Sequence, residues 1–545
     1  MRPFSLRRRS SIVAAALLAC VAAAAACSAP APTQNHPSVV RGAMNAFPAS
    51  LSLIGKNDTA SEVVARLVTD SLFQYDDSLT LRPRLASSWE ISPDGKTVVL
   101  RLRDGVTWQD GAKVTAKDVV FTIGKVRDPK TEARAYIGQF ENLVSLEALD
   151  ALTVRAVYSV PYADVLDSWT VPIIPEHLAG RDADLLTGDF SRHPIGCGPF
   201  RFASAEPGRE VVLEANPGYW DGRPLVDRLV LGVIPDERTG YQALLRGDID
   251  ILGVTSDTFR AAETAPEAAR LRRLVYFPLR TWYAAWNQNG SNPFFADPRV
   301  RRAMVLALDR EPFIKSVIGG LARAAALTYH PDSSWTDPSI RPWPYDSREA
   351  GRLLDEAGWR MGPDGKRWRD GRPFAFTLTL PAGTQEITDR IAAWFQQSLS
   401  KIGVEVRIEK LEWKAFLDRR RARQFEALMG SLQLTSPAPD QFELYHSSAQ
   451  KNGMNFFGLA DPEVDRLVDE GRRTFDPAAR RAIYSALQAR LHELEPISCL
   501  FHFAAPVLVD PRLAGVKPSP LGLWASFPGP RRWSWTASSS AAGGS

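Results

Sequence analysis

Segments with the period of a helix alternate with segments with the period of a strand along most of this chain. Residues 62–73 place apolar side chains three and four positions apart, which is typical of a helix packed on one face. Residues 96–103 alternate after the turn residues Pro93, Asp94 and Gly95, which predicts a strand. Further strands are predicted at 152–157, 211–213, 229–234, 374–380 and 404–410, and further helices at 239–246, 298–309, 348–358, 385–402, 462–473 and 477–494. This alternation predicts the α/β class, in which helices cover sheets.

The size and charge of the chain limit its possible functions. A chain of 545 residues is too long for one ordinary core, so we expect two or three domains. The formal net charge of +4 comes from four arginines near the N-terminus, and without them the 66 basic residues fall level with the 62 acidic ones. A neutral body argues against a nucleic-acid partner, because such a partner requires a positive surface facing its phosphates.

The N-terminal segment predicts export and attachment to a membrane. Three consecutive arginines precede an apolar stretch that is shorter than a membrane span of about 20 residues and is typical of a signal peptide. Cys20 follows a leucine-containing tripeptide but leaves a very short apolar region, whereas Cys27 gives the better length and precedes a polar, proline-containing tether. We predict a signal peptide at 1–26, lipidation of Cys27 and a tether at 27–38. Lipidation of Cys20, secretion after cleavage near Ala26 and a twin-arginine signal stay as alternatives.

Beyond the signal, Cys197 and Cys499 are the remaining cysteines. An oxidising compartment would permit a disulfide between them, and two buried thiols fit the sequence at least as well. The Ser/Ala/Gly-rich tail at 537–545 is predicted to be disordered.

Five groups of motif residues follow one another along the chain. The most characteristic one spans 72–119 and contains the Asp94-Gly95 and Asp110-Gly111 turns. The others lie at 194–200, at 216–220 with 244–250, at 297–311 and at 345–359. Over residues 40–515 these blocks together resemble the large extracellular solute-binding proteins of ABC transporters, family 5, whose solutes include peptides, nickel chelates and opines. Most of the motif residues are best interpreted as turns and ion pairs, so they indicate the fold rather than the ligand.

The resemblance implies a large two-lobed clamp of the periplasmic-binding-protein type (type II-like), α/β in class, with an extra inserted subdomain. Lobe 1 would comprise 39–278 plus 505–536, with the inserted subdomain at about 63–189, and lobe 2 would comprise 279–504. The lobes would close over a small solute, for example a peptide, by hinge motion. The expected partners are the permease and ATPase subunits of an importer, and the clamp itself is expected to be a monomer without a cofactor. An extracytoplasmic sensor or a hydrolase on the same clamp is the alternative.

The resemblance also directs attention to one loop of lobe 2. Peptide-binding members carry an aspartate there that pairs with the amino terminus of the peptide, and the matching position in this chain is Thr435. A threonine cannot neutralise a buried ammonium group, so the usual peptide mode is in doubt, although Asp440 could substitute if the loop runs differently. The residues predicted to line the cleft are Tyr75, Trp286, Asn287, Gln433 and Thr435.

The sequence offers little support for an enzyme. Its seven histidines are scattered, and the His-Glu-x-x-His, Gly-x-Ser-x-Gly and phosphate-loop motifs are missing. Tyr445-His446 is the one pair near the ligand loop that could suggest a chelate site, and an ordinary histidine is the better interpretation. We therefore predict no catalytic residues and no metal ligands.

Overall fold

The computed structural model describes residues 38–536 except 56–57, 134–135, 183, 290–291, 384–385, 435, 452 and 525–526. The described residues from Val39 to Thr536 belong to one compact unit. The predicted signal peptide, Cys20, Cys27, nearly all of the tether, Thr435 and the tail at 537–545 lie outside the described residues. The predictions made for them stay predictions.

The first lobe is built on a sheet whose strands come from distant parts of the chain. In spatial order these are Arg272–Tyr276, Ala505–Val509, Ile251–Gly253, Val39–Met44, Arg228–Val233, Glu210–Ala215 and Phe200–Glu206. Val39–Met44 runs parallel to Arg228–Val233, with Val39 opposite Arg228. Ala505–Val509 runs antiparallel to both of its neighbours, so the end of the chain returns to this sheet. After Ala505–Val509, the chain forms two short strands, Leu513–Ala514 and Ser534–Trp535, which pair with each other.

A second, smaller sheet lies in the chain between Val39–Met44 and Phe200–Glu206 and forms the inserted subdomain. Its antiparallel strands run in the order Ala86–Ile91, Thr97–Leu102, Thr153–Tyr158 and Leu143–Ala148. The helix Ala116–Arg127 packs on it through Val119, Ile123 and Val126, which are all buried. Thr115 caps the N-terminus of this helix and donates its backbone N–H to the Asp118 carboxylate at 2.7 Å.

The second lobe is built on a sheet with the order Ala322–Ala324, Ile497–Phe503, Arg280–Trp286, Ala427–Gln433, Ala375–Pro381 and Glu405–Leu411. Its helices cover both faces and create two apolar cores, one around Trp286 and Phe395 and one around Tyr445 and Tyr484. Lobe 2 also contains a small antiparallel ribbon, which consists of the strands Arg360–Met361, Arg367–Arg369 and Arg372–Pro373.

The remaining elements are helices, 3-10 turns and one short strand pair. In lobe 1 and its inserted subdomain they are Thr59–Val68, Glu176–Ala179, Asp189–Arg192, Glu237–Arg246 and Ser256–Thr264, with 3-10 turns at Pro129–Thr131, Ile137–Phe140, Asp167–Thr170, Pro266–Ala268 and Gly529–Arg532, and with the strand pair Phe73–Tyr75 and Leu81–Pro83. In lobe 2 they are Pro298–Leu306, Arg310–Ser316, Ser347–Glu356, Glu386–Ser400, Trp413–Arg421, Phe442–Tyr445, Pro462–Arg473 and Pro477–Leu494, with a 3-10 turn at Ser447–Gln450.

The chain crosses between the two large sheets at two places that the structure describes. One crossing lies between Arg272–Tyr276 and Arg280–Trp286, and the other between Ile497–Phe503 and Ala505–Val509. Short connections of this kind are where a hinge can absorb a rotation of one lobe against the other.

Cys197 and Cys499 are free and buried, so the disulfide that the sequence left open is not formed. Cys197 belongs to the lobe 1 core and Cys499 to a lobe 2 core. Burial raises the pKa of the Cys197 thiol to about 12, which makes it unreactive at neutral pH. Within the described part of the chain, no helix combines the length and the apolar character needed to span a membrane.

Candidate functional site

The two lobes touch where the loop after Ala427–Gln433 reaches the inserted subdomain and the strand Phe73–Tyr75. Ser436 of this loop donates its hydroxyl hydrogen to the Asp167 carboxylate at 3.0 Å, and its oxygen lies 3.4 Å from the Tyr75 hydroxyl. We call Tyr75, Asp167 and Ser436 the interlobe seam. It combines residues that are 361 and 269 positions apart, so it exists only when the lobes meet.

Tyr75 owes its position to the local fold. It ends the strand Phe73–Tyr75, which pairs with Leu81–Pro83, and Asp77, two residues after it, donates its backbone N–H to the Phe527 carbonyl at 3.1 Å. The C-terminal part of the chain therefore supports the loop behind Tyr75. Burial, reinforced by the Asp167 carboxylate, raises the pKa of the Tyr75 phenol well above its usual range, so the hydroxyl stays protonated and can donate a hydrogen bond.

Asp167 is the electrostatic centre of the seam. Burial raises its pKa to about 6; Asp164 and Asp440 add repulsion, while hydrogen bonds from Tyr75 and Ser436 act in the opposite direction. Among the described residues no arginine, lysine or histidine nitrogen forms an ion pair with this carboxylate. Asp167 is thus a largely buried carboxylate whose side-chain hydrogen bonds come from hydroxyl groups, while the Arg66 guanidinium, which pairs with Glu62, acts on it from a longer distance.

The other two carboxylates beside the seam are each matched by an arginine. Asp164 of the inserted subdomain forms an ion pair with Arg480 of lobe 2, and both side chains are buried. Asp440 pairs with Arg472 at 3.1 Å and also accepts the Phe442 backbone N–H. The sequence proposed Asp440 as a substitute for the missing ligand aspartate, but the structure engages it with Arg472. Asp167 is therefore the carboxylate in excess.

Two further predicted cleft residues lie elsewhere in lobe 2. Trp286 is fully buried, with an exposure of 0%, and packs among the rings of Phe295, Phe376 and Phe395. Its indole N–H donates to Ser498 at 2.9 Å. A side chain in this position is part of the core, so the prediction that Trp286 lines the cleft is wrong. The sequence could not distinguish the two roles, because an aromatic residue at the end of a strand has the same sequence pattern in a core and in a cleft.

Asn287 is buried and its amide is fully used within lobe 2. It donates to the Arg423 carbonyl at 3.0 Å and to the Phe425 carbonyl at 2.6 Å, and it accepts the Asn289 backbone N–H. It lines a polar cavity of about 650 Å³ that also contains Thr379, Glu409 and Glu426 and that includes no seam residue. Asn287 thus stabilises a turn beside a cavity of its own lobe rather than the interlobe seam.

Gln433 is exposed and lies just before the seam loop. Its side-chain amide donates to the Leu279 carbonyl at 3.1 Å and accepts from Arg280 at 3.0 Å, which ties the loop to the crossover between the lobes. Of the five predicted cleft residues, the structure places Tyr75 in the seam and Gln433 next to it. The sequence missed Asp164, Asp167 and Ser436, although the acid spacing in Tyr-Ala-Asp-Val-Leu-Asp between two predicted elements was available as a signal.

No group of three or more potential metal ligands occurs in the part of the chain that the structure describes. His446 stacks on Phe442 with 4.4 Å between ring centroids and bonds to Ser448 at 2.7 Å. Tyr445 is buried and contacts Thr328 through its hydroxyl at 2.9 Å. The pair therefore serves the fold of lobe 2.

Comparisons with known proteins agree with this architecture. The family model described as "Bacterial extracellular solute-binding proteins, family 5 Middle" matches residues 80–454. The oligopeptide-binding protein AppA of Bacillus subtilis is 30% identical over 492 residues, covering 87% of this chain and 88% of AppA. The solved structure of that protein in complex with a nonapeptide has a TM-score of 0.73 at 27% identity and covers 92% of this chain and 100% of its own.

A second solved structure, NikZ from Campylobacter jejuni in complex with Ni(L-His), has a TM-score of 0.75 at 26% identity, with 91% of this chain and 99% of NikZ covered. These matches confirm the predicted α/β two-lobed clamp. They do not favour the alternative of a sensor or hydrolase, because these relatives are named as binding proteins or solved with a bound ligand. The chain belongs to the bacterial extracellular solute-binding proteins of family 5.

Proposed function

We propose that this protein captures a small solute of the peptide class between its lobes and delivers it to the permease of an ABC importer. Its family consists of solute-binding proteins, one relative is named for binding oligopeptides, and another was solved with Ni(L-His). The lobes of a clamp close when the bound solute makes contacts that exist only in the closed state. The interlobe seam is built from both lobes, so its groups would be available together to a solute only in the closed state.

The observation that carries the proposal is the charge of the seam. Asp167 is a largely buried carboxylate whose described partners are hydroxyl groups, and its pKa is raised to about 6. A solute that brings a positive group to Asp167 would convert an unfavourable buried anion into an ion pair. An ammonium group suits this position, because the Tyr75 and Ser436 oxygens can accept its remaining hydrogens.

This arrangement changes the expectation for peptides. Thr435 cannot neutralise an amino terminus, and on that ground the sequence cast doubt on ordinary peptides. Asp167 approaches the same loop from the opposite lobe, as its bond to Ser436 shows. A carboxylate supplied by lobe 1 therefore supports the capture of peptides, or of other solutes with an ammonium group, by a different anchor.

The rest of the proposal concerns where the clamp works. We infer that residues 1–26 direct export, that a lipid on Cys27 holds the clamp at the outer face of the membrane, and that it acts as a monomer without catalysis. The Ser436 oxygen contacts Asp167, Tyr75 and the Ala438 backbone N–H, which is not the arrangement of a serine nucleophile activated by a histidine base.

The test compares the binding of peptides with a free, charged amino terminus and of the same peptides with an acetylated, neutral one. Residues 28–545 are unfolded in guanidinium, refolded without solute and titrated calorimetrically with a set of tri- to pentapeptides and with the N-acetylated form of each. We expect the free peptides to bind and acetylation to weaken binding by about tenfold or more, since the anion would lose its partner. Asp167→Asn should remove most of this difference.

The matched control is Glu147→Gln, which removes an exposed carboxylate paired with Arg155 on the inserted subdomain. It should leave the preference for the free amino terminus unchanged. Equal binding of the free and acetylated peptides would refute the cationic anchor. Recovery of a neutral or anionic solute by mass spectrometry of the protein as purified from cells would refute it as well.

A further inference from the structure

A strip of the inserted subdomain, residues 161–167, lies along lobe 2. At one end the Pro161 ring lies beside the Gly95 turn, where an added Cβ on Gly95 would stand only 2.4 Å from the Phe475 ring of lobe 2. In the middle Ala163 donates its backbone N–H to the Arg472 carbonyl at 2.7 Å. At the other end Asp167 accepts from Ser436. The strip and the adjacent Gly95 turn thus meet lobe 2 at several separate points.

The strongest contact in the strip is the ion pair between Asp164 and Arg480. The two residues are 316 positions apart, and their side chains keep only 8% and 7% of their exposure. The guanidinium also lies over the Trp335 and Tyr484 rings, at 5.0 and 5.3 Å. Separating the lobes here would return both charges to water, and removing one partner would leave a buried charge without compensation.

Arg472 adds a second link beside this pair. Its guanidinium pairs with Asp440 and lies over the rings of Phe442 of lobe 2, at 4.2 Å, and Tyr162 of the strip, at 5.3 Å. Its carbonyl receives the Ala163 N–H. Both arginines come from the helix pair Pro462–Arg473 and Pro477–Leu494, so one rigid surface of lobe 2 holds the strip.

These contacts are separate from the crossover segments that connect the large sheets, and they need no group from a solute. We propose that residues 161–164 together with Arg472, Phe475 and Arg480 form a latch that holds the inserted subdomain against lobe 2 and biases the clamp toward its closed form. The solute would then complete a closure that the latch already favours. A latch of this kind sets how much closed protein exists before solute arrives, and therefore scales the apparent affinity for every solute alike.

The test measures the distance between the lobes in solute-free protein. Spin labels are placed on exposed positions, Val144→Cys in the inserted subdomain and Met361→Cys in lobe 2, and the distance distribution is read by double electron–electron resonance. In a refolded, solute-free sample we expect Asp164→Asn and Arg480→Gln each to move population to a longer distance. The charge exchange Asp164→Arg with Arg480→Asp should restore part of the short-distance population.

Two further variants keep the test decisive. Phe475→Ser changes a side chain that is 38% exposed, so the protein should fold normally, and it should lengthen the distance to a smaller extent. Arg466→Gln removes an exposed arginine paired with Glu463 and Glu470 on the neighbouring helix face and should change nothing. Folding of each variant is checked by circular dichroism. Unchanged distance distributions in folded Asp164→Asn and Phe475→Ser would overturn the latch, whatever the outcome of the peptide titrations.

Discussion

Replacing Asp167 by asparagine should stabilise the solute-free protein at neutral pH. The folded protein raises the pKa of this carboxyl to about 6, from an ordinary value of about 3.9 in an unfolded chain. A raised carboxyl pKa means that ionisation is less favourable in the folded state. Above pH 6 the wild-type protein carries the full cost, and below about pH 4 both states are protonated and the cost is gone.

The size of the effect follows from the shift. Two pKa units correspond to about 3 kcal/mol, at 1.36 kcal/mol per unit. Asparagine keeps the shape of the side chain and one oxygen for the Ser436 hydrogen bond, but it carries no charge. We expect the free energy of unfolding of Asp167→Asn to exceed that of the wild type by about 1–3 kcal/mol at pH 7.5, and the two to converge as the pH falls from 6 to 4.

Urea unfolding of refolded protein, followed by tryptophan fluorescence between pH 4.5 and 7.5, measures this difference. Asp94→Asn provides a control of opposite sign, because the Ser92 hydroxyl lowers the pKa of Asp94 on the surface, and its replacement should not stabilise the protein at any pH. A pH-independent difference between Asp167→Asn and the wild type would refute the assignment of a buried, unpaired anion. A wild type that is more stable than the variant at pH 7.5 would refute it too.

Three other outcomes are expected. In urea unfolding, Trp286→Ala should lower the free energy of unfolding by about 3–5 kcal/mol, because the indole ring fills the lobe 2 core. Ser498→Ala should lower it by about 1 kcal/mol, because Ser498 accepts the indole N–H. A mild effect of Trp286→Ala would contradict its core position. In Cys27→Ser protein released from cells, both Cys197 and Cys499 should fail to react with a thiol reagent until the chain is unfolded, and reducing agent should leave the melting temperature unchanged; rapid labelling of the native protein would contradict their burial. Cys27→Ser should shift the protein from the membrane fraction to the soluble fraction on immunoblots, whereas release by Cys20→Ser alone would show that the other cysteine is lipidated.

The sequence predicted the periodic elements of this fold well where caps mark their ends. The helices Pro462–Arg473 and Pro477–Leu494 have the predicted bounds, since Asp461 and Asp476 accept N–H bonds in their first turns and a proline follows each. The predicted helix at 298–309 instead ends at Leu306, and a new helix begins at Arg310 after Asp309. The sequence is compatible with one continuous helix over 298–309 and with two helices separated at Asp309, and tertiary packing decides between the two.

Strands buried on both faces were harder to predict. Ile497–Phe503 and Ala427–Gln433 lie inside the lobe 2 sheet, and their burial shows no clear alternation. Such strands lack the two-residue period that marks Thr97–Leu102, so they cannot be separated from short buried helices by pattern alone. The crossing strand Arg280–Trp286 has the same character, which is why its final tryptophan was mistaken for a cleft residue.

The sequence could not show which acidic residue of the candidate site pairs with which arginine, because some of the partners lie in different lobes. Asp164, Asp167 and Asp440 look alike in the sequence, yet of these three only Asp167 forms no ion pair with a described residue, because Arg480 pairs with Asp164 and Arg472 pairs with Asp440. The imbalance has a physical consequence for binding. Burial between the lobes raises the cost of the Asp167 charge, and the Ser436 hydroxyl offsets only part of it, so a cationic solute would relieve the rest by forming an ion pair. Asp167 would then have two linked effects. Its charge would destabilise the closed clamp when no solute is bound, and the same charge would make closure selective for a positively charged solute.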